Sequence, residues 1–194
     1  MSPRAGLTTK AVVDLALGIV DEAGPGDLTL AKVAERAGVA APSLYKHVKN
    51  LGDLRRLIDL RVVQEMGDAL RTAATGREGA DAVAKIADAY RDYLQKHPHR
   101  TAALTTDPDR GDVELSTATH AVAEVAFAVL RPYGFDQAQA VHATRCIRAA
   151  VHGFAGLEAS GGFGRPEDVD ESFEVLKTML VQGLENLEQK AKER

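Results

Sequence analysis

Hydrogen-bond donors and cations are concentrated in the short stretch from Pro42 to Lys49. It contains one serine, one tyrosine, one histidine and two lysines, namely Ser43, Tyr45, His47, Lys46 and Lys49. Such side chains donate to phosphate oxygens, and a lysine can also donate to O6 and N7 of guanine. These residue types favour contact with the phosphates and base edges of DNA.

The surrounding residues predict two short helices that would hold these side chains. Thr29 is a favourable N-cap, and an apolar stripe with helical spacing follows it: Leu30, Val33, Ala34 and Ala37. Gly38 stands where a helix ends with a left-handed residue, and Pro42 suits the first position of a second helix. A helix, a tight glycine turn and a second helix with a cationic outer face form a helix-turn-helix, whose second helix enters the DNA major groove.

Helical geometry divides the residues of this motif into three groups. Leu44 and Val48, four residues apart, form the buried side. The outward group, predicted to face bases, is Pro42, Ser43 and Lys46, with Ala40 and Ala41 small enough to allow close approach to the groove. The flanking group, predicted to contact phosphates, is Tyr45, His47 and Lys49, with Thr29 assisting from the start of the first helix.

The distribution of charge supports this interpretation although the total does not. The net charge is −4, which alone argues against DNA binding. Residues 1–62, however, hold nine Lys and Arg against seven Asp and Glu, whereas the remainder holds 15 against 21. Since phosphates respond to the local field more than to the total charge, the N-terminal part remains suited to DNA.

The stretch AGVAAPSLYKHVKNLGDL resembles the tetracycline-repressor (TetR) family of one-component bacterial regulators, above all in the run from Leu44 to Asn50. Over roughly the first 60 residues this resemblance is specific. It implies a dimeric transcriptional regulator, a repressor, that binds a palindromic operator and responds to a small molecule. The stretch RCIRAAVHGFAGLEASGGF, residues 145–163, resembles a subset of the family whose ligand domain carries a His-Gly pair.

Composition and periodicity predict an all-α protein of about nine helices. Hydrophobic residues make up 45% of the chain, and β-branched and aromatic runs are rare. The predicted helices cover about 8–23, 29–37, 42–48, 50–74, 80–97, 98–104, 113–130, 136–158 and 168–189. We expect a DNA-binding domain at 1–50, a connecting helix at about 51–74, and a ligand-binding and dimerisation domain at 75–194.

Neither end of the chain nor its loops suggests a membrane or an oxidised compartment. No basic start is followed by an apolar segment, and the longest apolar stretch, 121–130, contains Glu124. The single cysteine cannot form a disulfide within the chain. We therefore expect a cytoplasmic protein without a membrane partner. We expect residues 1–7 to be a loose arm in which Arg4 either reaches a minor groove or, as is common at termini, stays unordered.

Five side chains with polar tips or aromatic rings are candidates for a ligand cavity in the C-terminal part. They are Tyr90, Tyr93, His97, Phe127 and His142. An apolar cavity among the predicted helices at 80–97, 113–130 and 136–158 is the default site for an effector. The alternative is that the aromatic residues are ordinary core.

Two stripes in the last helices predict a symmetric dimer interface. Small residues at Cys146, Ala149 and Gly153 would let two helix axes approach closely. The leucines at Leu176, Leu180 and Leu184 form an apolar stripe in the final helix. The alternative is that both stripes pack inside one protomer.

The sequence contains no recognisable catalytic set, cofactor motif or metal-site spacing. His142 and Cys146 lie four residues apart, but no further metal ligands accompany them. The competing hypothesis to a regulator is a small all-α ligand-binding protein or enzyme whose helix-turn-helix is only structural. The operator and the effector cannot be named from the sequence.

Overall fold

The structure is a computed structural model that describes residues 7–105 and 111–193. Seven α-helices lie in those ranges: α1 (Thr9–Ala23), α2 (Leu30–Ala37), α3 (Leu51–Ala74), α4 (Gly79–Lys96), α5 (Val113–Leu130), α6 (Gln137–Ala159) and α7 (Val169–Lys192). Four 3-10 helices accompany them, at Pro25–Asp27, Ala41–Lys46, Pro98–Leu104 and Arg131–Tyr133, and the described ranges contain no strand. The predicted all-α fold is confirmed.

The nine predicted helices correspond to the seven α-helices and to the 3-10 helices Ala41–Lys46 and Pro98–Leu104. Most boundaries agree with prediction to within one or two residues, and α7 continues three residues further than the predicted end at 189. Arg4 in the predicted arm, and residues 106–110 of the predicted polar loop, lie outside the described residues.

The chain folds as two compact units. Of the described residues, 7–62 and 99–105 form the first unit, and 63–98 and 111–193 form the second. α3 begins in the first unit and ends in the second, and the chain returns to the first unit at His99. Whether a DNA-binding part ends at residue 50 and a ligand part begins at 75 remains a prediction about function.

The first unit is built on α1. Thr8 Oγ1 accepts a hydrogen bond from the Ala11 N–H at 3.1 Å, which caps the start of the helix. Gly24, with φ at +84°, ends it. The buried face has helical spacing and consists of Val12, Val13, Ala16, Leu17, Ile19 and Val20. This face forms the core on which the helix-turn-helix is held.

α3 starts with a side-chain cap at Asn50. The Asn50 side chain accepts a hydrogen bond from the Asp53 N–H at 2.9 Å, and Asp53 Oδ2 accepts one from the Lys49 N–H at 2.8 Å. Because each side chain satisfies a backbone N–H at the start of α3, the end of the preceding segment, which the sequence predicts to contact DNA, is fixed to the start of a long helix.

The second unit is centred on α4 packed against α6. α6 buries one residue in four along a single stripe: Ala143, Ile147, Val151 and Ala155. Asp136 caps the helix by accepting from the Gln139 N–H at 2.8 Å, and Gln139 Oε1 accepts from the Asp136 N–H at 3.0 Å. This reciprocal pair is a complete capping box.

α5 is the most apolar helix of the described chain. Together with the turn after it, Val113–Tyr133 is long and apolar enough to cross a bilayer, with a mean hydropathy of 1.3 over its best window. One such helix is weak evidence for a membrane protein, because helices that pack in the core of a soluble protein meet the same criterion.

Candidate nucleic-acid interface

α2 and the turn after it have the geometry that the sequence predicts. Thr29 Oγ1 accepts a hydrogen bond from the Lys32 N–H at 3.2 Å. At the other end, Gly38 adopts the left-handed conformation with φ at +66°. Its N–H donates to the Glu35 carbonyl, and the Val39 N–H donates to the Ala34 carbonyl, both at 3.0 Å. This is a Schellman motif, in which glycine avoids the strain that a side chain would bring.

The second helix of the motif is a 3-10 helix, Ala41–Lys46, whose last turn widens. The His47 N–H and the Val48 N–H both donate to the Leu44 carbonyl, at 2.8 and 3.0 Å. With about three residues per turn at its start, this helix places Pro42 and Tyr45 one above the other. The 3.6-residue period assumed in the prediction instead separates them by about 60°, with Tyr45 on a flank.

The burial pattern separates the core residues of the motif from its surface. Leu44 and Val48 are buried, as predicted. Ser43 and His47 are half-buried, so they present less of their side chains than expected. The remaining predicted DNA-contact residues are exposed, and they are Thr29, Ala40, Ala41, Pro42, Tyr45, Lys46 and Lys49. Tyr45 is 60% exposed, which is unusual for a large aromatic side chain in a packed unit.

The cations of the first unit differ in whether an acidic side chain already neutralises them. Lys32 pairs with Asp27, and Arg36 Nη2 pairs with Glu22 at 2.5 Å, which joins α2 to α1. Lys46 and Lys49 form no ion pair with any residue in the described part of the chain. Their full charge is therefore available to an external anion, and phosphate groups are the anions that such a surface attracts.

The five predicted ligand contacts have different surroundings in the structure. The Tyr90 hydroxyl lies 2.8 Å from His152 Nδ1, and the Tyr93 hydroxyl donates to Glu65 Oε2 at 3.1 Å. The His97 ring packs on Tyr93 with centroids 4.9 Å apart. Phe127 is half-buried in α5.

His142 does not belong with these four residues. It is exposed, and it lies in a shallow depression at the start of α6, beside Asp136 and Val141. The prediction that His142 lines an enclosed cavity is wrong, because the buried stripe of α6 begins at the neighbouring Ala143 and faces a different direction.

Tyr90 and His152 have shifted pKa values because both are partly removed from water. Burial raises the pKa of Tyr90 to about 12, so its hydroxyl keeps its proton. Burial, together with the charge of Arg148, lowers the pKa of His152. The neutral imidazole can therefore accept a hydrogen bond from the phenol. Sequence reasoning paired neither Tyr90 nor Tyr93 with a partner, because these partners lie 62 and 28 residues away.

The predicted dimer residues divide into exposed and buried groups. Cys146, Ala149 and Gly153 are exposed on α6, and Leu176 and Leu180 are half-buried on α7. Leu184, only 3% exposed, belongs to the core of its own protomer, so its assignment to an exposed stripe is wrong. The large apolar residues that are exposed on these helices are Leu157, Val175, Met179 and Leu187. The three on α7 follow one another at intervals of four and eight residues, but the helix has apolar residues on several sides, and the sequence alone did not identify the exposed side.

No cluster of three His, Cys, Asp or Glu side chains that could hold a metal ion occurs in the two described ranges.

Comparison with known proteins gives a consistent result. Residues 83–180 match the family described as tetracyclin repressor-like, C-terminal domain. Over 182 residues the chain is 38% identical to an uncharacterised helix-turn-helix-type transcriptional regulator of Mycobacterium tuberculosis, covering 93% of this chain and 83% of the relative.

Two solved structures show the same fold. A protein of unknown function from Rhodococcus sp. RHA1 has a TM-score of 0.81 at 20% identity, covering 94% of this chain and 98% of the other. A variant of TetR from Acinetobacter baumannii AYE, solved in complex with minocycline, has a TM-score of 0.73 at 25% identity, covering 94% of this chain and 99% of the other.

Proposed function

Since the chain belongs to the TetR family of transcriptional regulators, we propose that it is a repressor that binds a palindromic operator as a homodimer and releases it when a small molecule binds. Regulators of this family bind DNA and are not enzymes, which decides against the alternative of an enzyme with a structural helix-turn-helix. We place the protein in the cytoplasm with its DNA.

The observation that carries the proposal is the exposed cationic surface of the Ala41–Lys46 helix and the residues after it. Tyr45, Lys46 and Lys49 project from a helix whose opposite side, Leu44 and Val48, is fixed in the core. We assign Lys46 with Pro42 to the bases, and Lys49 to a phosphate. The exposure of Tyr45 beside Pro42 adds a hydroxyl donor and an apolar ring edge to the same outward surface.

We propose that α6 and α7 form the dimer interface. On α6 the exposed Leu157 follows the exposed Gly153 by about one turn, and on α7 the exposed Val175 and Met179 are about one turn apart. A monomer rarely exposes several large apolar side chains on neighbouring helices without a partner. A symmetric dimer formed through these surfaces would bury the apolar side chains. It would also place the two Ala41–Lys46 helices, one from each protomer, on one palindrome.

We infer that the effector binds within the second unit, near Tyr90, Tyr93, His97 and Phe127. The polar tips at the first three positions would orient an otherwise apolar ligand. The Acinetobacter relative with minocycline supports a small-molecule effector for this fold. We also infer that the chain belongs to the subset with a His-Gly pair, here His152 and Gly153, in which the histidine already contacts Tyr90.

A footprint on the DNA upstream of the protein's own gene tests the proposal. Wild-type protein is expected to protect a palindrome with half-sites about 34–36 Å apart or a multiple of that spacing. Tyr45→Ala should weaken protection. Lys10→Ala, which removes an exposed cation of α1 paired with Asp14, is the control and should retain it. No protected site on any DNA fragment, including those selected from random sequence, would contradict the proposal.

A further inference from the structure

A cleft of about 170 Å³ lies within the first unit. α3, the end of α1 and the Pro98–Leu104 helix supply its walls. The wall residues are mostly apolar: Val20, Pro25, Leu28, Ile58, Val62, Ala102 and Ala103. Arg55, Asp59, His99 and Arg100 add polar groups. An engineered apolar cavity of about 150 Å³ binds benzene, so this cleft can receive a ring of that size.

Two contacts hold the wall formed by the Pro98–Leu104 helix in position. Arg100 is buried and bound to Asp21 through two hydrogen bonds, Nε to Oδ1 at 2.7 Å and Nη2 to Oδ2 at 2.6 Å. The His99 ring lies so close to Gly24 that a side chain there would touch it, with Nδ1 at 3.6 Å from a Cβ. The cleft is therefore formed before any ligand arrives, which lowers the entropic cost of binding.

The polar groups of the cleft differ in whether their charge is compensated. The charge of Arg100 is already neutralised by Asp21. Asp59, by contrast, makes no hydrogen bond or ion pair with any residue that the structure describes. Burial raises the pKa of Asp59, and the positive charge of the exposed Arg55 offsets only part of that rise. The carboxylate therefore has no ion-pair partner among the described residues.

We propose that this cleft is a second ligand site, which binds a small molecule with one compact apolar or aromatic group and one ammonium group paired with Asp59. The apolar walls supply the binding energy for the ring, and the carboxylate supplies the preference for a cation. Because the Pro98–Leu104 helix forms one wall, an occupied cleft ties that segment to α1 and α3 inside the DNA-binding unit and gives the regulator a second input.

The direct test is an NMR titration of the full-length, 15N-labelled protein, without DNA, with three probes of equal size. Benzylamine, benzyl alcohol and benzoate differ in charge but share the ring. Benzylamine is expected to shift the amide signals of Leu28, Ile58, Val62 and Ala102 and to bind at least about tenfold more tightly than benzyl alcohol, as one charge-assisted hydrogen bond provides. Benzoate should bind more weakly than both.

Variants separate the carboxylate from the walls. Asp59→Asn should reduce benzylamine binding to the level of benzyl alcohol, whereas Asp68→Asn, which removes an exposed carboxylate of the same helix, should leave it unchanged. Ala103→Leu should fill the cleft and weaken the binding of both benzylamine and benzyl alcohol.

The proposal is overturned if benzoate binds best, if the shifted amides lie outside the cleft, or if Asp59→Asn binds benzylamine as the wild type does. The order in which wild-type protein binds the three probes decides the matter if Asp59→Asn does not fold. None of these readouts involves an operator or an effector, so failure here leaves the proposed repressor function standing, and failure of that function leaves this site standing.

Discussion

Arg91 of α4 holds Glu158 of α6 through two parallel hydrogen bonds, Nε to Oε2 at 2.7 Å and Nη2 to Oε1 at 2.5 Å. The guanidinium also lies over the Phe173 ring of α7, 4.7 Å from its centroid, and contacts Asp170 at 2.7 Å. One side chain, only 8% exposed, therefore joins three helices of the second unit. The hydrogen bonds from Arg91 lower the pKa of Glu158.

Arg91→Met is expected to lower the free energy of unfolding by about 1.5–3 kcal/mol, the usual range for hydrogen bonds to charged groups that leave a partner unsatisfied. Methionine keeps part of the packing on Phe173, so most of the loss reflects Glu158. Urea denaturation measures the change. Lys10→Met, in an exposed pair on α1, is the matched control and should change stability little. Equal stability of Arg91→Met and wild type would contradict this role.

The lowered pKa of His152 predicts that the folded protein loses stability below neutral pH. Its pKa in the folded protein is lowered from the ordinary value of about 6.5, so the unfolded chain binds the proton more readily. The contribution of neutral His152 is complete above pH 6.5 and is lost as the pH falls through that value toward the folded pKa. Urea melts at pH 7.5 and 5.5 should show this loss, and His152→Gln should reduce it.

His142→Gln, a change at an exposed histidine of the same helix, serves as the control for that experiment and should retain the wild-type pH dependence. A wild-type protein that becomes more stable between pH 7.5 and 5.5, or a His152→Gln protein with the full wild-type loss, would contradict the prediction.

Met179 and Leu184 should separate assembly from folding. Met179 is 64% exposed on α7, so Met179→Glu is expected to place a charge in the dimer interface and give folded monomers. Leu184 is buried in its own protomer, so Leu184→Ala should cost about 2–5 kcal/mol of stability through a core cavity. Sedimentation and urea denaturation measure the two effects. Wild-type monomer at micromolar concentration, or an unchanged dimer in Met179→Glu, would refute the interface.

The effector and the operator should weaken each other equally. A ligand that prefers the state unable to bind DNA by about 1–3 kcal/mol would reduce operator affinity roughly 5- to 150-fold, and operator DNA must reduce ligand affinity by the same factor. After a thermal-shift screen identifies a ligand, calorimetry with and without operator measures both. A tight ligand whose affinity is the same in the two titrations would not be the effector.

The sequence predicts this fold well because its signals are local. Thr29, Gly38, Asn50 and Asp136 each act on the backbone within four residues, so the caps and the helix boundaries are readable from spacing. The residues of the second helix of the motif were predicted, but its 3-10 geometry was not. That geometry depends on which N–H groups donate to which carbonyls, as at Leu44, and the spacing of residue types does not show this.

Longer-range relationships were not predictable in the same way. His152 contacts Tyr90, and Glu158 contacts Arg91, across 62 and 67 residues. No periodicity connects such positions. Leu184 shows the same limit within one helix: α7 has apolar residues on several faces, and only the packing of the second unit determines that Leu184 is buried while Met179 is exposed.

The most direct test of the central claim, that the surface from Pro42 to Lys49 reads DNA, is operator and scrambled-DNA affinity measured at several salt concentrations for Lys46→Ala, Lys49→Ala and Lys10→Ala. We predict that Lys46→Ala costs roughly 1–3 kcal/mol on the operator alone. Lys49→Ala should weaken binding to both DNAs and lower the slope of log affinity against log salt concentration by about one. Lys10→Ala should do neither. A Lys46→Ala protein that loses affinity equally for both DNAs, or that binds the operator as well as Lys10→Ala does, would contradict the claim.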